Sequence, residues 1–234
     1  SRVRNPPSAA ALEITLIGPE LLADGEITCA IAGADFKVRV NDRSIDVAQP
    51  FVLRAGDRLR FGELCSGARA VLAVGGGFDV PPVLGSRATS LISRMGPFGG
   101  RALKAGDRLP VAEPPVSEPM RTGSPLRMLS GGAKLRVILG PHDGRFTEGA
   151  LRTFTAARFT VTPESNRMGY RLAGPALDRA DTSEMLSDAT PLGSLQVPPS
   201  GVPILLMADR QTTGGYPKIA TVITADIPLA GHLA

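Results

Sequence analysis

The sequence predicts a mainly β fold rich in tight turns. Three observations carry this. The chain holds 27 glycines and 21 prolines in 234 residues, about a fifth of the whole against a usual share of about 12%, and both residues interrupt helices. Apolar residues make up 43% of the chain and there is no tryptophan; that much apolar content in regular short runs excludes disorder. The runs alternate, or stand fully apolar, and stop at Gly, Asp or Pro, as strands joined by turns do. The length allows one large domain or two of roughly 100–120 residues each, and two barrels of that size can each bury a core.

The elements follow in order. Leu12 to Ile17 alternates and stops at Gly18-Pro19. Ile27 to Ala32 stops at Gly33, and Phe36 to Val40 meets the turn pair Asn41-Asp42. Phe51-Val52-Leu53, the turn Ala55-Gly56-Asp57 and Arg58 to Phe61 come next. Ala70 to Val74 reads as a fully apolar strand before Gly75-Gly76-Gly77. The proline-rich stretch Glu113 to Pro119 is the best boundary candidate, with a long surface loop as the alternative. The second half resumes with Lys134 to Leu139. One helix stands out beyond it: Thr147 can cap it, and Phe146 with Leu151 sit as a hydrophobic staple. Arg158 to Thr162, Val202 to Met207 and Ile219 to Ile223 are further strands, the last of a buried central type. Ala55-Gly56-Asp57-Arg58-Leu59 recurs at 105–109, and Gly18-Pro19-Glu20-Leu21 is echoed by Gly174-Pro175-Ala176-Leu177. These traces fit a duplicated barrel.

Charge and cysteine usage narrow the classes. The net charge is +4; the basic residues are mostly scattered arginines without aromatic interleaving, which argues against nucleic-acid binding. No apolar stretch approaches the roughly 20 residues of a membrane span, and the start Ser1 to Pro7 lacks the apolar core of a signal peptide. Cys29 and Cys65 lie in apolar surroundings and read as two buried, reduced thiols of a cytoplasmic protein. The two histidines, His142 and His232, have no Cys or His nearby, so no metal-ligand spacing exists. Neither a phosphate loop nor a Gly-x-Ser-x-Gly elbow is present. Chemistry by this chain would therefore work through positioning and polarising.

Four segments are denser in functional groups than a plain β scaffold requires. In the run 75–89, Ser86, Arg87 and Thr89 follow glycines and suit an anion, unless Arg87 pairs with an acid such as Asp79. In 165–171, Asn166, Arg167 and Arg171 beside Tyr170 suit a carboxylate or ureido group, or form a polar corner anchored by Tyr170. In 193–199, Gln196 lies between apolar neighbours, and a bond to backbone is the favoured reading. In 208–218, Arg210, Gln211, Thr212, Thr213, Tyr216 and Lys218 crowd between two apolar strands. A bare hairpin connection would be shorter, and rigid strands commonly present binding groups on such loops.

At these segments the sequence closely resembles the allophanate hydrolase subunit 2 / KipA family, also described as biotin-dependent carboxyltransferase domains and as the C component of 5-oxoprolinase. The matching stretches are Leu12 to Thr15, Asp79 to Thr89, Gly100 to Asp107, Ser165 to Leu172, Gln196 to Pro199 and Met207 to Lys218. The resemblance implies tandem cyclophilin-like β-barrels, one over residues 1–115 and one over 116–234. Family members usually begin further upstream and extend past Ala234. Beside them the first barrel lacks an N-terminal piece and the second a C-terminal strand.

The resemblance also implies a function. The expected one is the C component of an ATP-dependent 5-oxoprolinase, opening 5-oxo-L-proline to L-glutamate with a sister subunit 1/KipI-type protein and a third oxoprolinase subunit. Alternatives are a carboxyltransferase module moving a carboxyl from carboxybiotin to urea or a related amide, and a non-catalytic antagonist of a KipI-type kinase inhibitor. ATP is used by the complex, nothing is bound covalently, and no metal is expected. The chain has no Met-Lys-Met motif, so biotin in the second reading sits on a separate carrier. From residue chemistry, Tyr216 and Lys218 are the groups to polarise a carbonyl. Asn166, Arg167, Arg210, Gln211, Thr212 and Thr213, with Ser86 and Arg87, are the groups to bind a small amide substrate.

Overall fold

A computed structural model describes residues 3–47, 49–113 and 132–233 of the chain. The chain divides into two compact units, residues 1–130 and 131–234. From Pro114 onward the expected linker lies outside the described residues.

The first unit is built on two long strands. It runs β1 (Leu12–Thr15), β2 (Glu20–Leu22), β3 (Ile27–Val40), β4 (Arg43–Ser44), β5 (Phe51–Leu53) and β6 (Arg58–Val74). All pairings are antiparallel, in the order β1-β6-β3-β4, with β2 added to β6 and β5 to β3. Alternation drives the burial: Leu59, Phe61, Ala70, Leu72 and Val74 of β6 face inward against Ile31, Phe36 and Val38 of β3. Burying each of the larger side chains contributes about 1.5–3 kcal/mol. Phe36 and Phe61 meet edge to face, their ring centroids 5.7 Å apart, the arrangement favoured by aromatic quadrupoles.

Three expectations change here. Gly33 does not end a strand. It sits inside β3 at a register shift opposite Ala70, with φ of +109° and the Arg69 carbonyl oxygen pressed against the place a Cβ would take. A bulge that brings backbone this close requires glycine. Cys65 is exposed while Cys29 is buried: Leu59 and Phe61 face inward, but the register shift of β3 against β6 between Phe36 and Val38 reverses the inward parity before residue 65, so the two thiols are not both buried. The recurring Ala-Gly-Asp-Arg-Leu motif builds the same turn twice within the first unit. Asp57 accepts from Arg54 N at 2.8 Å, and Asp107 accepts from Lys104 N at 2.8 Å.

The second unit contains β7 (Val137–Leu139), β8 (Thr160–Val161), β9 (Gly169–Ala173), β10 (Asp188–Ala189), β11 (Ser194–Gln196), β12 (Ile204–Leu206), β13 (Thr213–Gly214) and β14 (Lys218–Val222). Six of these form an antiparallel sheet in the order β7-β14-β11-β12-β9-β8, and β10 and β13 form a separate ladder. The central strands carry the core: Ile219, Ala220 and Val197 are inaccessible, with Leu205, Tyr170 and Phe146 packed around them. The helix Glu148–Ala156 begins where expected, since the Thr147 hydroxyl accepts from Ala150 N at 3.0 Å. It satisfies one of the free amides of the first turn. Among the described residues neither six-stranded sheet closes on itself. Bulges bend the long strands of the first sheet, but its edge strands β1 and β4 do not pair with each other. The expected barrels are therefore open sheets, while the mainly β class holds.

Candidate functional site

The stretch expected to carry the site joins β12 to β14 and contains β13. It is fixed from three sides. Asp209 N donates to the Arg167 carbonyl at 2.9 Å, and Arg167 grips the Asp209 carboxylate from Nε and Nη2 at 2.9 and 3.3 Å. Arg210 Nε donates to the Thr190 carbonyl at 2.7 Å. Thr190 N donates to the Thr212 carbonyl at 3.0 Å, and the Thr190 hydroxyl donates to the Gln211 carbonyl. Two of the arginines expected to meet an anion are thus engaged in holding the loop.

Beneath the loop, β14 and β11 place Lys218 and Gln196 opposite each other, so both side chains rise on one face. Both are buried. Lys218 Nζ donates to the Asp188 carboxylate at 2.6 Å and to the Ala189 carbonyl at 2.5 Å, so it engages both residues of β10. The lysine side chain is 3% exposed and that of Asp188 51%, so the pair runs from the interior to the surface. The Lys218 ammonium, followed by the Ala189 amide, holds the Asp188 carboxyl below its ordinary range. Gln196 Nε2 donates to the Tyr216 carbonyl at 3.3 Å. A Cβ on Gly214 would come within 2.7 Å of that nitrogen, so the ladder can lie this close only with glycine there.

His142 completes the cluster. Its Nδ1 accepts from Lys218 N at 3.2 Å, and its Nε2 lies 3.9 Å from the Asp188 carboxylate. Burial and the neighbouring Lys218 lower its affinity for a proton.

The fold therefore brings Arg167, Arg210, Gln211, Thr212, Thr213, Tyr216 and Lys218 into one neighbourhood. Asn166 shapes the turn beside it, its side-chain oxygen accepting from Met168 N at 2.8 Å. Gln211, Thr212, Thr213 and Tyr216 face solvent, whereas Lys218 and Gln196 form the floor. Ser86 and Arg87 belong to the first unit, where Arg87 Nη1 also reaches the Ser8 carbonyl at 3.5 Å. The Ser86 hydroxyl accepts from Ala88 N at 3.1 Å, and Arg87 Nε donates to the Val80 carbonyl at 3.0 Å. Sequence reasoning missed Asp188 and Thr190 and set His142 aside. The partners of Lys218 lie 30 and 76 residues away, and only the fold joins them. No group of three or more His, Cys, Asp or Glu able to hold a metal exists among the described residues. None of their helices is long and apolar enough to cross a membrane.

Residues 2–234 match the family model for the carboxyltransferase domain, subdomains A and B. The chain belongs to this family. It is 40% identical to the C component of the 5-oxoprolinase of Escherichia coli over 227 residues, 96% of this chain and 72% of that protein. It is 36% identical to the corresponding 5-oxoprolinase component of Haemophilus influenzae, over 95% of this chain and 71% of that one. Urea amidolyase of Lachancea kluyveri is 32% identical over 99% of this chain, but the chain spans only 14% of that protein. The crystal structure of Kluyveromyces lactis urea carboxylase superposes with a TM-score of 0.86 at 31% identity, covering 100% of this chain and 23% of the larger one.

Proposed function

We propose that the chain is the C component of an ATP-dependent 5-oxoprolinase, which opens 5-oxo-L-proline to L-glutamate. One observation carries this reading: 40% identity to the C component of a 5-oxoprolinase over 96% of this chain and 72% of that protein. The urea amidolyase match is weaker and covers a small part of a much longer protein. The name of the relatives, one lettered part of an enzyme, points to partner subunits. A subunit 1/KipI-type protein and a third oxoprolinase subunit are the ones proposed, with ATP used by the complex. The two free cysteines fit a reducing cytoplasm.

The site geometry refines the roles. Tyr216 is 43% exposed, and its phenol is the group able to donate to an amide carbonyl from the surface. Gln211, Thr212 and Thr213 offer an amide and hydroxyls beside it. Lys218 works from below. Two of its three protons are committed to Asp188 and Ala189, so its main effect is to hold the β10–β13 ladder and bias the local potential toward a developing oxyanion. Arg167 and Arg210 position the loop rather than grip the substrate. A urea-type amide would meet the same donors, which keeps carboxyl transfer as the second reading, supported by the urea carboxylase superposition. Co-expression with the partner subunits tests the assignment. Glutamate release from 5-oxoproline should require this chain and ATP, and fall on Tyr216→Phe and Lys218→Met. Full activity without the chain would refute it.

A further inference from the structure

The chain has two histidines, and one of them meets both residues of the Lys218–Asp188 pair, the lysine at its backbone amide and the aspartate at its carboxylate. The Nδ1 of His142 takes the backbone N–H of Lys218 at 3.2 Å. A nitrogen that accepts carries no proton, so the neutral ring holds its hydrogen on Nε2, which lies 3.9 Å from Asp188. The imidazole thus spans the strand that supplies the lysine and the strand that supplies its carboxylate.

Protonation would undo this in two ways. The imidazolium has N–H at both nitrogens, so Nδ1–H would confront Lys218 N–H and the bond fixing the lysine's backbone would be lost. A second cation would also arise beside the ammonium and compete with it for the Asp188 carboxylate. The charged groups facing the ring are Lys218 from β14, Asp188 from β10 and Arg145 from the adjoining 3₁₀ turn Asp143–Arg145. Asp143 of that turn, also charged, accepts from Gly144 N at 2.8 Å. Burial, Lys218 and Arg145 oppose the proton while Asp188 favours it, and the ring's affinity for a proton falls below the ordinary value.

From this geometry we infer that His142 is a positioning residue acting through Lys218: its neutral ring keeps the Lys218–Asp188 pair, and with it the ladder that presents Thr213 and the Tyr216 loop, in register, and its protonation releases them. The inference rests on the proposed function for its kinetic consequence and on the fold alone for its structural one. As pH falls through the His142 transition, below 6.5, the complex loses turnover while substrate affinity changes less.

Two measurements test it. In the complex reconstituted with its partner subunits, kcat against pH is compared for the unsubstituted chain, His142→Asn and His142→Ala. Asparagine can place an acceptor oxygen near the Nδ1 position and does not titrate. It should keep kcat within about threefold at neutral pH and move the acid limb down by about one unit or more. Alanine removes the acceptor and should cost roughly tenfold across the range. An acid limb unchanged in His142→Asn overturns the inference. The second measurement is NMR of the full chain, with His232→Gln assigning the two imidazoles. The Lys218 amide shift should titrate together with the His142 ring. A ring that titrates while the Lys218 amide stays still overturns the inference. An unsubstituted complex that releases no glutamate counts against the proposed function, and the NMR result then decides the role of His142.

Discussion

Replacing Gly214 by alanine probes how the ladder meets the floor of the site. The added Cβ would lie 2.7 Å from Gln196 Nε2 and 3.2 Å from Thr190 Cγ2. Gln196 is buried and bonded to the Tyr216 carbonyl, so it cannot swing away without losing that bond. Overpacking of this kind costs about 1–3 kcal/mol. Restricting the unfolded chain by a glycine-to-alanine change returns about 0.4–1 kcal/mol where the backbone tolerates alanine, and Gly214 lies outside the left-handed region. The net expectation is a loss of about 1–2 kcal/mol, or about 2–8 °C in Tm for a chain of this size. Thermal unfolding followed by circular dichroism reads it. The Gln196→Ala background provides the control. With the amide gone, Gly214→Ala should cost less than about 0.5 kcal/mol, a coupling of about 1 kcal/mol between the two positions. Equal costs in both backgrounds would refute the packing argument, as would a rise in Tm for the single variant.

Other consequences are simpler to check. One of the two thiols should react with a disulfide reagent in the native state, because burial pushes the Cys29 thiol up to about 12 while Cys65 is exposed; mapping the labelled cysteine by mass spectrometry decides. Thr147→Ala should destabilise the helix Glu148–Ala156 by about 1 kcal/mol and Thr147→Ser by much less, read as urea midpoints. Asp226 accepts from Arg136 N, Nε and Nη2, and the Arg136 side chain holds its carboxyl below the ordinary 3.8. A depressed carboxylate stabilises the fold above its unfolded value and loses that contribution as pH falls through the folded one. Asp226→Asn should therefore lower Tm at neutral pH, with the gap to the unsubstituted chain closing below 3.8.

What could be read from the sequence was local. The cap at Thr147 and the staple around it depend on neighbours a few residues away, and both the helix and its start are where that logic puts them. Alternation located the inward face of β3 from Phe36 to Val38, and an unbroken apolar run marked β14 as buried, for the same reason. Gly33 misled because a glycine stop and a glycine bulge look alike until the partner strand, here the Arg69–Ala70 backbone, is in place. The two-residue strands β10 and β13 carry almost no propensity signal; Lys218, Thr190 and Arg210 hold them there. The site was legible as a crowd of residue types between 208 and 218, but not in its wiring. Arg167 suits a carboxylate by chemistry, and its carboxylate proves to be Asp209, 42 residues away. His142 looked isolated because nothing near it in sequence is its partner.

The substrate and the catalytic roles proposed first for the site depend on this chain supplying the C component of a 5-oxoprolinase. Glutamate formation from 5-oxo-L-proline by the partner subunits, followed with and without this chain and with and without ATP, decides that. Glutamate should appear only when the chain and ATP are both present, with a clear loss for Lys218→Met. Glutamate formed at the same rate without the chain would contradict the assignment, and so would a full complex that leaves 5-oxoproline intact yet carboxylates urea.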